Sequence, residues 1–280
     1  MKKIILTLVL GGIIKLSALG QNIVPPDAKV TVFVQEGVPV PNEESVPAFM
    51  PDGKTVYLAD GTTIKFSKLI NGKWTKPVMA QFSGQWRDWD PFISPDGKRL
   101  IFVSNRPSPE RPQDMPQKDS HLWYVDHISG DNWTKPAHLD APVNVPGTVA
   151  YAPSLSSAKT LCFCSRNRDG NKGMCGYSAK WLGDHYDKPR LLKLNGDSDI
   201  FDPFIAPDES YIIFASDNNL FISYRKGNEW EPGQKLSAIV NNGNNGSPIV
   251  SPDGKTLYYS QDHAPGILMV PVIIPKHTVK

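Results

Sequence analysis

The sequence contains no G-x-S-x-G, no H-E-x-x-H and no glycine-rich phosphate loop. That removes the hydrolase, metalloprotease and nucleotide-binding chemistries those motifs carry. It also lacks a charge excess: 30 Lys and Arg stand against 28 Asp and Glu, so there is no electrostatic case for nucleic acid. Apolar residues at helical spacing do not recur over any useful length, and no long low-complexity tract occurs. Cysteine is scarce, with three in 280 residues. No histidine pair sits at ligand spacing, so a zinc site is not expected.

What is abundant is turn chemistry, with 26 Pro and 22 Gly. The organising stretch is Asp90–Pro107, DPFISPDGKRLIFVSNRP. Two short β-rich runs flank a Pro-Asp-Gly turn (Pro95, Asp96, Gly97), which is a hairpin signal. Related phrases are Pro47–Leu58, Pro203–Ala215 and Pro248–Ser260. A degenerate copy, Pro153–Ser165, has lost its Asp-Gly and reads as a shortened turn. The opening prolines Pro47, Pro91, Pro153, Pro203 and Pro248 are spaced by 44, 62, 50 and 45 residues. Periods of about 40–50 residues belong to propeller blades.

Each of the first four copies continues into a third apolar run: Ile64–Leu69, His121–His127, Met174–Lys180 and Leu220–Tyr224. A Gly/Asn turn follows, and then Trp or Tyr with Pro close behind: Trp74–Pro77, Trp133–Pro136, Tyr186–Pro189 and Trp230–Pro232. This fourth strand completes a blade, and its Pro suits an outer edge where no ladder bond is lost. The last copy has a third strand, Ile267–Ile274, but no fourth. Lys29–Glu36 is a strand-like run with no local partner, and it is expected to supply that missing strand and close the ring. The expectation is an all-β, five-bladed propeller of four-stranded antiparallel blades over residues 21–280, one domain.

Met1–Gly20 reads as a secretory signal peptide: Lys2-Lys3, the apolar run Ile4–Ile14, and a small-residue exit with cleavage after Gly20. No lipobox cysteine follows it. The mature chain would carry a net charge of −1 once Lys2, Lys3 and Lys15 are removed, and no membrane span. Export to the periplasm or beyond permits disulfides. Cys162 and Cys164 share a strand face, and Cys175 lies on the next strand. Two readings stay open: Cys175 bridges Cys162 or Cys164, or all three are buried thiols.

The phrase P-x-x-S-P-D-G-K-x-L-x-F-x-S, as it stands in Pro91–Ser104 and Pro248–Ser260, resembles the repeat of TolB-like β-propellers, a WD-repeat-like class. The resemblance covers about Lys29 to Ile274 and implies a small exported member. TolB proper carries an α/β domain before its propeller, whereas only Gln21–Ala28 precede the first strand here, so a Tol-system role is not implied. The motif is structural and speaks to fold rather than function.

Blade order places the loops before each opening proline on one face, around the channel, together with the Pro-rich insertion Arg106–Ser120. Candidate ligand-binding residues there are Asp88, Trp89, Asp90, Arg106, Tyr151, Arg166, Arg168, Asp199, Asp202, Asn245 and Asp262. The set of carboxylates, guanidiniums and aromatics suits a glycan, a peptide or an envelope protein. The bland alternative is that Asp90 and Asp202 cap their own turns and the arginines pair along the rim. The first reading is a non-catalytic binding or scaffold module. The alternative is a carbohydrate-active enzyme, with Asp90 and Asp202 as the carboxyl pair and Glu44 as the acid of raised pKa. No cofactor is expected; a Ca2+ ion held by the channel aspartates and carbonyls is a third, weaker reading.

Overall fold

The computed structural model describes residues 22–33, 47–109, 119–196 and 199–275. The leader and Glu44 lie outside these residues. Every element among them is a strand. The strands form five antiparallel sheets, each starting at an inner strand: Ala48–Phe49, Asp88–Ile93, Val149–Leu155, Phe201–Ile205 and Asn245–Val250. This is the five-bladed propeller that the repeat spacing predicts.

Ring closure is also as expected. Thr31–Val32 pairs antiparallel with Leu268–Pro271, the third strand of blade 5, and the Phe33 N–H donates to the Ile267 carbonyl at 2.8 Å. Phe33 then packs edge-on against Tyr258 of blade 5 and against Phe49 and Trp74 of blade 1. The first and last blades are thereby joined by backbone bonds and by an aromatic cluster.

The outer strand is split by its proline in blades 1, 2 and 4. In blade 1, Lys73–Trp74 and Val78–Met79 lie either side of Pro77 and both pair with Ile64–Ile70. Asn132–Trp133 and Ala137–His138 repeat the device around Pro136, and Glu229–Trp230 and Gln234–Lys235 around Pro232. The Trp residue before the break faces the preceding blade. Trp133, for example, is buried and donates its indole N–H to the Tyr57 hydroxyl at 2.9 Å.

The turns hold one correction. The turn of blade 3 is not shortened: Lys159 N–H bonds the Ser156 carbonyl as Gly97 N–H bonds Ser94 and Gly254 N–H bonds Ser251. What changes is who occupies the left-handed position. Gly53, Gly97 and Gly254 hold φ of 66°, 70° and 74°, and Lys159 and Glu209 adopt 64° and 60° in the same place. The geometry of the turn is imposed by the hairpin register, so a residue that dislikes it must still conform.

Register also answers the cysteine question. Cys164 sits opposite Gly176 and Cys162 opposite Ser178, while Cys175 sits opposite Ser165. Since successive side chains alternate faces, Cys175 lies on the other face of the sheet from Cys162 and Cys164. All three are free thiols.

Candidate functional site

Each inner strand of blades 2–5 begins with a bulge at the residue before its proline. Pairing skips between Trp89 and Phe92, Tyr151 and Ser154, Phe201 and Phe204, and Gly246 and Ile249. Inside each skip a non-glycine residue holds a positive φ: Asp90 at 46°, Ala152 at 46°, Asp202 at 49° and Ser247 at 48°. Such a conformation costs on the order of 1–2 kcal/mol per residue and persists only where its surroundings enforce it.

The enforcing bonds run from blade to blade. The Ala152 N–H donates to Asp90 Oδ2 at 3.2 Å. Ser247 donates both its N–H (2.8 Å) and its hydroxyl (3.2 Å) to Asp202 Oδ2. The Asp202 N–H in turn bonds Cys164 Sγ at 3.0 Å. Two carboxylates thus staple blades 2 to 3 and 4 to 5 at the channel, reaching one blade beyond the turn-capping expected of them.

These residues share one mouth. Asp90, Ala152, Asp202 and Ser247, with the prolines that follow them, surround a space of about 40 Å³ floored by Phe92, Phe204 and Ile249. A water needs roughly 10–15 Å³ of such space, so the space between these described residues is of the size of a few waters. Half-buried Trp89 and Tyr151, next in sequence to Asp90 and Ala152, pack against the core with ring centroids 6.2 Å apart, and the Arg87 guanidinium lies 4.5 Å over Trp89.

The other candidates divide into two groups. Asp88 is fully buried; it accepts hydrogen bonds from Ser83 Oγ (2.7 Å), Ser104 Oγ (2.6 Å) and the Arg106 guanidinium (2.7 Å). Arg106 also covers the Phe102 and Trp123 rings. Arg168 is buried and donates to the Pro142 and Val143 carbonyls and to Ser165 Oγ, and burial lowers its pKa. Asn245 donates to the Gly243 carbonyl at 2.9 Å and accepts from Gln261 at 2.9 Å. Arg166, Asp199 and Asp262 are exposed at the rim, Asp262 accepting from Asn244 at 2.7 Å. Among the described residues no group of three or more His, Cys, Asp or Glu side chains is placed to hold a metal ion.

Two features escaped the sequence reading. A buried polar chain in blade 2 links His121 Nδ1 to His138 Nε2 at 2.9 Å and His138 Nδ1 to Asp140 at 3.1 Å. The second is the far end of the channel, at the Pro-Asp-Gly turns. There a funnel of about 340 Å³ is lined from all five blades. Its floor is the same Phe92–Phe204 contact, at a centroid distance of 6.4 Å, that closes the mouth. The signal for it was present: both residues after each opening proline are apolar in blades 1, 2, 4 and 5, with no polar alternation toward the channel.

No protein family and no curated protein matches this sequence. Solved structures match the fold. A TolB-type protein from Agrobacterium tumefaciens is 18% identical, over 77% of this chain and 68% of its own, with a TM-score of 0.53. A thermostable family-43 glycoside hydrolase is 12% identical over 88% and 93%, with a TM-score of 0.56. A gluconolactonase from Xanthomonas campestris is 11% identical over 92% and 93%, with a TM-score of 0.50. The fold implied by the TolB-like repeat is therefore the fold found, and at these identities the likeness is one of fold alone.

Proposed function

We propose that this chain is an exported, non-catalytic binding propeller that recognises a glycan on the mouth face, against Trp89 and Tyr151. The observation that carries the reading is the state of the mouth carboxylates. Asp90 and Asp202 accept main-chain N–H groups of the next blade and leave about 40 Å³ between the strands. A glycosidase needs two carboxyls about 5–5.5 or 6.5–9.5 Å apart that meet the sugar, and the engagement of both carboxylates with main-chain donors supports binding over cleavage. Half-buried aromatic faces beside fixed carboxylates suit the alternating apolar and hydroxyl surfaces of a sugar. Export rests on the leader pattern of Met1–Gly20, and sequencing the mature N-terminus should return Gln21.

A second reading, a carbohydrate-active enzyme, draws on Asp90 and Asp202 lining one mouth and on sugar-directed proteins among the fold relatives. Thermal melting of the chain from Gln21 onward separates the two. The series uses oligosaccharides, cell-wall fragments, peptides, Ca2+ and EDTA, with the Trp89→Ala/Tyr151→Ala variant in parallel. A ligand at about a hundred times its Kd adds roughly 2.7 kcal/mol. Stabilisation of the wild type but not the variant by a sugar recovered intact is the expected result. Cleaved sugar by mass spectrometry would favour the enzyme. A shift with peptides alone would replace the glycan with a protein partner.

A further inference from the structure

The funnel at the turn end is built unlike the mouth. Its wall is formed by Ala48 and Phe49, Phe92 and Ile93, Leu155, Phe204 and Ile205, and Ile249 and Val250, so every blade contributes. Its rim is a ring of prolines, Pro51, Pro95, Pro207 and Pro252, one from each Pro-Asp turn. In blade 3 the corresponding residue is Ser157, an exposed side chain and the one gap in that ring. No lining residue carries a charge.

The nearby aspartates do not supply one either. Asp96 takes the Ser94 hydroxyl at 2.6 Å and the Lys98 N–H at 3.1 Å. Asp253 takes the Ser251 hydroxyl at 2.6 Å and the Lys255 N–H at 3.1 Å. Both carboxylates are turned back onto their own turns, and the wall hydroxyls of Ser94 and Ser251 are consumed with them. What is left for a ligand is apolar surface, the Ser157 hydroxyl and the phenol of Tyr211. Burial pushes the Tyr211 phenol up, so it stays a neutral hydrogen-bonding group at any physiological pH. Ligand pockets of a few hundred Å³ with apolar walls and few polar groups are the ordinary small-molecule class.

We infer that this funnel is a binding site for a neutral, largely apolar small molecule of one or two rings, entering past Ser157 and stopped by the Phe92–Phe204 floor. A charged ligand is disfavoured, because it would leave water for a wall that offers no counter-charge, the exposed turn lysines Lys54, Lys98, Lys159 and Lys255 standing outside that lining. The site is separate from the mouth and does not depend on what binds there.

The test is a fluorescence titration of the chain from Gln21 onward with the neutral probe N-phenyl-1-naphthylamine, beside the anionic anilinonaphthalene sulfonate. One saturable site for the neutral probe is expected, with the anionic probe at least about tenfold weaker, a factor of ten being 1.4 kcal/mol. Ser157→Trp, which fills the gap in the rim, should weaken the neutral probe by about tenfold or more with unchanged melting. Lys73→Trp, the same ring on an exposed part of blade 1, should leave binding as in the wild type. If Ser157→Trp does not fold, Ser157→Cys is folded first and then capped with a bulky maleimide, with wild type treated identically because Cys175 is half-buried. Absence of a saturable site, equal binding of the two probes, or full binding by the blocked protein would each overturn the inference.

Discussion

The two ends of the channel come from one repeated phrase and yet differ in kind. At the mouth the residue before the opening proline is Asp90, Ala152, Asp202 or Ser247, held at positive φ by bonds between blades. At the funnel the residues after that proline are almost all apolar and meet through packing. The mouth is polar and strained; the funnel is neutral and open. In blades 2–5 the proline thus divides the inner strand into a segment whose identity varies from blade to blade and a segment that is mostly apolar. The comparison also separates two ways of holding a ring together: directed bonds at one end, contact area at the other.

That contrast can be broken most severely beside the mouth. Arg106→Met leaves the Asp88 carboxylate fully buried with its cation gone. Breaking such a pair costs about 3–5 kcal/mol, and adding Asp88→Asn should recover much of it. Urea unfolding reads both, and a loss below about 1 kcal/mol would mean that the mouth face is not held by charge.

The shared floor comes next. Phe204→Ala should cost about 3 kcal/mol, at the low end for Phe because the ring borders a cavity. It also merges the two ends into one channel. A crystal structure of the variant with the floor still closed would show that Phe92 alone separates them.

Within the mouth, the two staples should be unequal. Asp202→Ala breaks the 2.8 and 3.2 Å bonds to Ser247, and Asp90→Ala the 3.2 Å bond to Ala152, among the contacts each carboxylate makes. Losses of roughly 2 and 1 kcal/mol are expected for charge-assisted bonds of this kind. Equal losses by thermal melting would argue that the strained backbone, and not the carboxylate, sets the cost.

The turn end should respond to acid through Glu209. Burial would raise its pKa, but hydrogen bonds from Thr160 and Ser156 and the Arg225 guanidinium at 2.9 Å outweigh burial and lower it. With the folded pKa below the unfolded one, this stabilisation is complete above the unfolded value, 4.5 for Glu. It is lost as pH falls from there through the folded value. Glu209→Gln should therefore melt below wild type at pH 7, by roughly 1 kcal/mol, and the gap should narrow as pH falls below 4.5. A constant gap from pH 7 to 3 would remove the charge from the explanation.

The smallest effect is a gain. Lys159 occupies a left-handed turn position filled by glycine in three other blades. Lys159→Gly should add roughly 0.5–1 kcal/mol, net of the glycine's extra unfolded-state entropy. A drop in melting temperature would show instead that the contact of Lys159 with Trp181, 5.6 Å from its ring, outweighs the strain.

Much of the architecture was legible because its causes are local. Pro-Asp-Gly turns, two-residue alternation and a Trp followed by Pro are written in neighbouring residues, so five blades and the closing N-terminal strand could be read directly. The misread turn of blade 3 failed for the converse reason. Ser157, Ala158 and Lys159 carry no turn signal, and their turn is imposed by the hairpin around them. Site residues were legible as positions but not as roles. Asp88 and Asp90 are two apart and would share a face in a regular strand, yet one ends in a buried ion pair and the other at the channel mouth, since the bulge after Trp89 and the positive φ of Asp90 break the alternation.

By itself the sequence determined the repeat, the blade count, the ring closure and the position of each residue along its strand. Only the tertiary structure decided that Asp202 would serve Ser247, that Phe92 would meet Phe204, and that Ser157 would stand in a ring of prolines. Those partners lie one or more repeats apart in the chain, and closing the ring is what brings them to the same axis. Periodicity fixes how far each side chain is from its own proline, while distance across the channel depends on all five blades at once.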